Sequence, residues 1–460
     1  MKNDTRENFG SKLGAVLAAA GSAVGLGNIW RFPIETGQNG GAAFIIVYIA
    51  CVLLLGIPIM MSEFFIGRHT HTNTAGAYRK LAPGTQWKWV GRLGVLSGFV
   101  ILSYYSVVAG WTAEYTVLAV GNCFEGKGPD TFPAIFGEFV SNPWKPLVWM
   151  FAFMIVTHVI VVRGVKGGIE KFSKVMMPAL FVIMLVLTVC SVMLPGASEG
   201  LEFLLKPDFS KITGSTVLSA MGQAFFSLSL GLGCLCTYGS YFRSDTNIGK
   251  TALNVALIDT FVAVMSGFII FPAVFNAGYA ISSNDIGPSL LFITMPNVFQ
   301  QAFGSMPVLS YLVSVLFYFL LVVAALTSTI SMHEVVTAYV SEEFGMNRRR
   351  AAAIVTVACS VVGVFCSLSF GPLDGARLFG MSLFDLFDYV ASNIFLPVGG
   401  MFVSIFTGWY LDKRLMRDEI TNHGTLRVPY LRLVVFILRY FAPIAIGIIL
   451  FNQLGLFRLF

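Results

Sequence analysis

Charge is scarce in this sequence. Asp, Glu, Lys and Arg make up only 12% of its 460 residues, whereas an ordinary soluble domain carries about 25%. Hydrophobic residues make up 56%, and the mean hydropathy is +0.77. The apolar runs are too many and too long for one core in water. The composition therefore excludes a soluble enzyme and indicates a protein that is surrounded mostly by lipid.

Patterns that are typical of several other protein classes are also missing. The seven cysteines are scattered without CxxC spacing, which indicates neither a disulfide scaffold nor a zinc site. The five histidines form no His-Glu-x-x-His pattern, so a metal-dependent membrane enzyme is disfavoured. The net charge of +6 is spread over short gaps between apolar runs, which argues against nucleic acid as a partner. No small-residue cleavage site follows the first apolar run, and we expect no cleaved signal peptide.

Eleven apolar stretches are long enough to cross a bilayer as helices, each of which needs about 20 residues. They lie near 12–34, 42–66, 93–120, 146–162, 175–194, 216–242, 252–278, 308–340, 351–370, 386–411 and 433–456. The sequence therefore predicts an all-α membrane protein with a single transmembrane domain over residues 1–460. The segment 283–305, which carries Pro288 and Pro296, is predicted to be an external helical loop rather than a twelfth span.

Lysine and arginine are distributed unevenly between the two sets of connecting segments. With the N-terminus in the cytoplasm, 23 of them fall on the cytoplasmic side and 6 on the other side, while Arg31 lies within the first span. The positive-inside rule thus predicts a cytoplasmic N-terminus and, because the number of spans is odd, an external C-terminus. We expect a multi-pass protein of the inner (plasma) membrane.

Glycine and polar residues interrupt the first and the sixth span. Gly-Leu-Gly occurs at 25–27 and again at 231–233, with Ser22, Asn28, Ser227 and Ser229 nearby. Interrupted segments at matching positions of two halves indicate the binding site of a transporter, whereas the glycines alone are equally compatible with close helix packing. The spacing predicts a five-plus-five inverted repeat, about 8–195 and 212–411, with an extra helix at about 433–456.

Several long motifs resemble those of the neurotransmitter:sodium symporter family. They are GLGNIWRFP at 25–33, QNGGAAF at 38–44, GIP at 56–58, RGVKGGIEK at 163–171, FFSLS at 225–229 and LTS at 326–328. The similarity extends over nearly the whole chain. It implies a leucine-transporter-type fold with broken helices 1 and 6, in a prokaryotic branch with eleven helices instead of twelve. It also implies a transporter rather than an enzyme.

The resemblance implies two co-transported Na+ ions. Sodium favours about five or six oxygen ligands, and broken helices supply free carbonyls. The first ion would be held by Ala23, Asn28, Ser227 and Asp259, with a substrate carboxylate. The second ion would be held by the carbonyls of Gly21, Val24 and Ala324 and by the hydroxyls of Thr327 and Ser328. Without the resemblance, the simpler interpretation is that the Thr327 and Ser328 hydroxyls form hydrogen bonds within their own helix.

The class of substrate is indicated by a missing charge. Family members that carry amines have an aspartate in the first break, where this sequence has Gly25. An α-amino acid, which brings its own carboxylate, is therefore implied. The predicted substrate-binding residues are Ala23, Leu26, Gly27, Ile101, Tyr105, Phe226, Ser227, Ser229, Leu232, Ser328 and Met332. Since the side-chain part of this set is almost wholly apolar, a hydrophobic or aromatic L-amino acid is favoured.

Charged residues in or beside the spans are predicted to form gates. Arg31 and Asp388 would close the external side above Phe226, with a static buried ion pair as the alternative. Arg6 and Glu342 would close the cytoplasmic side near Tyr241, although the adjacent Glu343 is a second possible partner for Arg6. Glu63 would accept bonds from backbone N–H groups in the broken sixth helix.

Asp259 stands where many relatives have asparagine, so a fixed carboxylate is predicted to replace the chloride that animal members use. The predicted partners are the amino acid, Na+ and membrane lipid, and the protein is expected to be a monomer or a weak homodimer. A sodium symporter for another small zwitterion and a substrate sensor on the same fold stay open. A channel is disfavoured because neither a continuous polar stripe nor a filter sequence is present.

Overall fold

Long apolar helices dominate the computed structural model, which describes residues 6–278 and 289–455. The helices are α1 (Lys12–Ala23), α2 (Gly27–Gln38), α3 (Ala42–Thr70), α4 (Thr74–Leu81), α5 (Lys88–Val120), α6 (Thr131–Ser141), α7 (Lys145–Val162), α8 (Val165–Val192), α9 (Ala197–Leu205), α10 (Gly214–Ser227), α11 (Cys234–Gly239), α12 (Ile248–Asn276), α13 (Met295–Phe303), α14 (Pro307–Glu343), α15 (Arg348–Leu368), α16 (Leu383–Tyr410), α17 (Lys413–Ile420) and α18 (Leu431–Gln453). Within the described residues, the only β-type pairing is an isolated bridge between Leu378 and Met381.

Nine of the helices in the described residues are long and apolar enough to cross a membrane without interruption: α3, α5, α7, α8, α12, α14, α15, α16 and α18. The pair α1 and α2 passes the same test jointly, with a bend of 56° between the two halves. The protein is therefore an integral membrane protein. The sixth predicted span is the pair α10 and α11, whose halves are too short to count separately. The total of eleven spans and the inverted repeat stay predictions.

Several predicted boundaries need correction, because helices extend beyond the apolar stretch that marks them. Helix α5 begins at Lys88 and α8 at Val165, whereas the apolar runs begin near 93 and 175. Backbone hydrogen bonds continue the helix where the sequence already becomes polar. The described part of the predicted loop contains α13, while residues 283–288 and the end of the last predicted span at 456 lie outside the described residues.

Asparagine marks the start of three helices on the side of the membrane that carries the N-terminus, here called the N-terminal face. Asn73, Asn247 and Asn347 each accept a hydrogen bond from a backbone N–H three residues later, at the start of α4, α12 and α15. Such caps satisfy N–H groups that have no partner inside the helix. They fix where the chain re-enters the bundle.

Close backbone packing positions the broken helices against the rest of the bundle. A Cβ atom on Gly67 of α3 would lie 1.9 Å from the carbonyl oxygen of Cys236 in α11, and one on Gly239 would lie 2.7 Å from that of Phe64. Small residues allow this approach in a membrane, where helices associate by van der Waals contact. Helix α11 is thereby held against α3, and α5 packs along α14 on the other side of the site.

Candidate functional site

The two breaks lie next to each other at the centre of the bundle. The Ser229 hydroxyl donates to the carbonyl oxygen of Ser22 at 3.2 Å. Val24 leaves the α1 conformation with ψ 115°, while Ser229 and Gly231 have φ values of +53° and +78°. Backbone groups around residues 24–26 and 228–233 therefore leave the regular helical pattern in the protein interior. Such carbonyl and N–H groups are available to a small charged ligand.

Oxygen atoms converge around the side chain of Asn28. Its amide nitrogen donates to the Ser227 hydroxyl at 3.0 Å, to the Asp259 carbonyl at 3.2 Å and to Asp259 Oδ1 at 2.7 Å. Asp259 is fully buried, and no ion pair involves it among the described residues. The electropositive NH2 group of Asn28 thus occupies the centre of a cluster of oxygen atoms. The donor chemistry fits a sodium ion, which prefers such oxygens.

Tyr48 belongs to the same cluster and is not among the residues that the sequence predicts. Its hydroxyl donates toward Asp259 Oδ2 at 3.3 Å and toward the Ser227 oxygen at 3.4 Å, while the Ser227 hydroxyl donates to Asp259 Oδ2 at 2.7 Å. Tyr48 lies in an apolar run of α3 with no motif around it, so the sequence gives no local indication of its role. A fully buried tyrosine hydroxyl in the structure requires a hydrogen-bond partner, and that requirement identifies it.

A second cluster of oxygen atoms joins α1 to α14. The hydroxyls of Thr327 and Ser328 both donate to the Val24 carbonyl at 3.2 Å, and that of Thr327 also donates to the Ala324 carbonyl at 2.9 Å. Hydroxyls rotate and can turn their lone pairs toward a cation. Gly21 packs close to Thr327, so the structure brings together all the residues predicted for the second ion.

A cavity of about 50 Å3 lies between the two breaks. Ten of the eleven predicted substrate-binding residues line it: Ala23, Gly27, Ile101, Tyr105, Phe226, Ser227, Ser229, Leu232, Ser328 and Met332. Ser22, Gly25, Asn28 and Leu396 line it as well, and Leu396 was not predicted. The space holds only a few water molecules. An amino acid therefore requires flexible side chains, such as Phe226 and Met332, to move outward.

Leu26 is fully buried and contributes through its backbone. Its N–H donates to the Tyr105 hydroxyl at 3.1 Å, which places two of the predicted substrate-binding residues side by side. The adjacent Gly25 leaves little room for a side chain, since a Cβ atom there would lie 2.5 Å from Ser328 Oγ and 3.3 Å from the Tyr105 hydroxyl. The start of α2 at Gly27 adds the positive end of a helix dipole.

A second cavity, of about 400 Å3, lies on the other side of the Phe226 ring, toward the face opposite the N-terminal face. Arg31, Glu35, Tyr104, Phe226 and Asp388 are among the residues that line it. Phe226 borders both cavities and separates them. The Phe226 ring therefore lies between the cavity at the breaks and this face of the protein.

The predicted Arg31–Asp388 ion pair is not formed in this conformation, although both residues line the second cavity. Arg31 lies 3.8 Å from Glu35 and stacks over the Phe226 ring at 4.6 Å. Asp388 accepts a hydrogen bond from Ser392 at 3.1 Å. The two charges thus line one cavity without forming an ion pair, and a gate that joins them would require Arg31 to exchange Glu35 for Asp388.

The N-terminal face is closed beneath the cavity between the two breaks. Arg6 forms an ion pair with Glu342 and stacks over the Tyr241 ring at 4.7 Å. Glu343 instead pairs with Arg79 at 2.7 Å, which separates the two candidate partners of Arg6. The backbone N–H of Phe9 also donates to the Tyr241 carbonyl at 3.0 Å. The segment before α1 is thus held across the inner end of the bundle.

Glu63 supports the break between α10 and α11. Its side chain is 1% exposed, and its Oε1 atom accepts a hydrogen bond from the Gly231 N–H at 2.7 Å. This is the contact that was predicted for it. Gly231 itself packs on α16, since a Cβ atom there would lie 2.5 Å from the Leu396 carbonyl oxygen.

Gly231→Ala is expected to destabilise the protein clearly. Alanine at φ +78° costs about 1–2 kcal/mol in backbone strain, and the clash with the backbone of α16 adds to it. The melting temperature in detergent should fall. Gly447→Ala in α18 is the control, because a Cβ atom there meets nothing within 4 Å and alanine favours the helix. Equal melting temperatures for the two variants would contradict the assignment of Gly231 as a required glycine.

Comparisons with known proteins agree on one family. The family model described as "SNF: Sodium:neurotransmitter symporter family" matches residues 6–125 and 140–458. The chain is 38% identical to "Uncharacterized sodium-dependent transporter YhdH" of Bacillus subtilis, over 97% of this chain and 98% of that protein. It is 28% identical to "Sodium- and chloride-dependent GABA transporter 2" of Mus musculus, over 91% of this chain and 75% of that protein.

A solved structure matches the fold over nearly its full length. It is described as "Crystal structure of MhsT in complex with L-phenylalanine", with a TM-score of 0.87, 43% sequence identity, and coverage of 97% of this chain and 99% of that one. The motifs, the two adjacent breaks and these similarities lead to one conclusion. The chain belongs to the sodium:neurotransmitter symporter family and is a sodium-dependent transporter of the membrane, not an enzyme.

Proposed function

We propose that this protein imports a hydrophobic or aromatic L-amino acid together with two sodium ions. The observation that carries the proposal is the chemistry of the cavity between the breaks, none of whose lining residues is acidic. An amine without its own carboxylate would find no negative partner there. A zwitterion would place its carboxylate near the Leu26 N–H and the Tyr105 hydroxyl, and its ammonium near the carbonyls of the two breaks.

The opposite end of the cavity suits an apolar side chain. Ile101, Phe226, Leu232, Met332 and Leu396 surround it, and unbranched methionine adapts to rings of different size. The 43% identity to MhsT, whose structure holds L-phenylalanine, supports the same substrate class. A different small zwitterion is the second candidate, because the related GABA transporter 2 is named for such a substrate. A sensor on the same fold is the third.

The two oxygen clusters would hold the two sodium ions. In the first, the Asn28 amide would turn its oxygen toward the ion, and Asp259, Ser227 and the carbonyl of Ala23 would complete the shell with the substrate carboxylate. Substrate and first ion would then stabilise each other directly. In the second, Thr327 and Ser328 would turn their lone pairs from Val24 toward the ion. This ion would join α1 to α14, which are elements that must separate for release toward the N-terminal face.

Net positive charge would move inward in each cycle. A zwitterion carries no net charge and two sodium ions carry two, so a membrane potential of about 100 mV supplies about 4.6 kcal/mol, which supports roughly a few-thousandfold substrate gradient. This direction assumes a cytoplasmic N-terminus in the cell's inner membrane, which the excess of lysine and arginine on that side supports. Arg6, Glu342 and Tyr241 would then form the cytoplasmic gate.

The proposed function is tested by uptake into proteoliposomes. Labelled L-phenylalanine should accumulate when sodium is outside, accumulate faster with an inside-negative potential, and not accumulate when potassium replaces sodium. Glycine and γ-aminobutyric acid serve as the competing zwitterions. Uptake that is unaffected by potassium replacement would contradict sodium coupling. Tight binding of phenylalanine without any uptake would instead support a sensor.

Thr327→Ala and Ser328→Ala are expected to weaken activation by sodium before they weaken binding of the amino acid. Each substitution removes one oxygen ligand from the second cluster, and the sodium concentration for half-maximal uptake should rise about tenfold, which corresponds to about 1.4 kcal/mol. Ser331→Ala is the matched control, since its hydroxyl donates to the Thr327 and Ser328 carbonyls of its own helix and not to Val24. Identical sodium activation curves for all three variants would contradict the assignment.

A further inference from the structure

A groove of about 650 Å3 opens on the outer surface of the bundle where α5 begins. Trp89, Leu93 and Leu96 of α5 form one wall, and Phe402 of α16 forms the other. Trp89, Leu96 and Phe402 are 57%, 46% and 37% exposed, so apolar side chains face outward along the groove. None of these residues belongs to the substrate cavity or to the oxygen clusters.

The groove has one polar end. Thr85, Gln86 and Arg92 line it there, and the indole N–H of Trp89 donates to the Gln86 side chain at 3.0 Å. The Arg92 guanidinium stacks over the Trp89 ring at 4.7 Å. Tryptophan and arginine with this arrangement are typical of the boundary between hydrocarbon and water. The polar end therefore lies at the membrane surface on the N-terminal face.

The apolar part of the groove spans about two thirds of one leaflet. Leu96 follows Trp89 by seven positions, which correspond to about 10 Å along a helix. Half of a hydrocarbon core measures about 15 Å. Trp87 closes the inner side, with its ring 5.0 Å from that of Phe406 in α16. A single acyl chain that enters from the surface would follow these side chains.

Positive charge is in excess at the polar end, because Glu343, the carboxylate that Arg92 influences, already pairs with Arg79. Residues 64–113 contain five Lys and Arg residues and no Asp or Glu. Arg68 and Arg79 pair with distant glutamates, whereas Lys88 and Arg92 form no ion pair among the described residues. Lys88 precedes Arg92 by one helical turn, so both lie on the same face of α5. An anion at the membrane surface is the complementary ligand.

We propose that this groove is a binding site for one anionic phospholipid. Its phosphate meets Arg92 and Lys88, and one acyl chain lies along Leu93, Leu96 and Phe402. A sterol would leave the two cations without a partner, and a second copy of the chain would have to bring acidic residues to them. The lipid would bridge α5, which carries Ile101 and Tyr105, and α16, which packs on the break at Gly231.

The test measures lipid binding to the delipidated full-length protein by native mass spectrometry. Phosphatidylglycerol should bind more tightly than phosphatidylcholine. The variant K88Q/R92Q should lose about thirtyfold in affinity for phosphatidylglycerol, since each cation near the surface contributes about fivefold. The control R349Q/R350Q, which removes two charges from the exposed start of α15, should bind as the parent does.

A second pair of variants distinguishes lipid binding in the groove from nonspecific electrostatic attraction of lipid. Leu96→Trp fills the groove and keeps both cations, so it should also lose tight phosphatidylglycerol binding. Leu185→Trp, on the exposed surface of α8, should not. Equal affinity for the two lipids in the parent would overturn the proposal. Equal losses in K88Q/R92Q and R349Q/R350Q, or a groove that is covered by a second copy in a lipid-free dimer, would overturn it too.

Discussion

Asp259→Asn should weaken sodium binding by more than about a hundredfold. Asp259 supplies the only carboxylate that bonds to the oxygen cluster around Asn28 within the described residues. Removing one partner from a buried set of charges typically costs about 3–5 kcal/mol, and each 1.4 kcal/mol is a factor of about ten in affinity. Asparagine keeps an oxygen ligand and nearly the same volume, so the loss of sodium affinity measures the effect of charge and not of side-chain size.

The measurement is sodium-dependent stabilisation of the purified protein, with and without phenylalanine. Asp374→Asn is the control, because that carboxylate is exposed and, within the described part of the chain, pairs only with Arg377 at 3.4 Å. The parent should transport equally well when gluconate replaces chloride, since Asp259 supplies the fixed negative charge. Strong chloride dependence of the parent, or unchanged sodium affinity of the variant, would show that Asp259 is only a polar residue of α12.

Gly25→Asp should abolish amino-acid uptake. A carboxylate at this position would enter the cavity beside Tyr105 and Ser328 and repel the carboxylate of the substrate across a few ångströms of poorly screened interior. Binding of phenylalanine should fall by at least about a hundredfold at saturating sodium.

Sterics must be separated from charge in this experiment, because a Cβ atom on Gly25 already lies 2.5 Å from Ser328 Oγ. Gly25→Asn has the same shape as Gly25→Asp without its charge, and Gly25→Ala adds only the Cβ atom. If repulsion dominates, the aspartate variant is much weaker than the asparagine variant. Equal affinities of these two variants would remove the main reason for excluding amine substrates.

The two clusters of oxygen atoms and the substrate cavity explain why these substitutions act on different steps. Asp259 contacts the first cluster, Thr327 and Ser328 form the second, and Gly25 lies between them. Ser328 lines the cavity and also bonds to Val24, so it would link the second cluster to a substrate in the cavity. We therefore expect Ser328→Ala to affect the amino acid more than Thr327→Ala does.

The sequence alone determined the class of this protein and most of the residues around its central cavity. Scarce charge and long apolar runs require a membrane environment. Gly-Leu-Gly together with nearby serine and asparagine indicates breaks in two spans, because backbone groups that leave a helix inside a membrane must be satisfied by protein or by water. Local motifs then indicated which residues surround the breaks. Ten of the eleven predicted substrate residues line one cavity for this reason.

Only the tertiary structure decided contacts between residues that are far apart in the chain. Tyr48 and Leu396 join the site from apolar helices with no local signal, since their role depends on which face packs inward. The partner of Arg6 was open between Glu342 and Glu343, and the position of Arg79 beside Glu343 separates them. That Arg31 pairs with Glu35 instead of Asp388 also depends on the tertiary structure. Helix boundaries such as Lys88 also differ from the prediction. Apolar runs indicate the part of a helix that lies in hydrocarbon, whereas backbone hydrogen bonds and packing determine where the helix begins and ends.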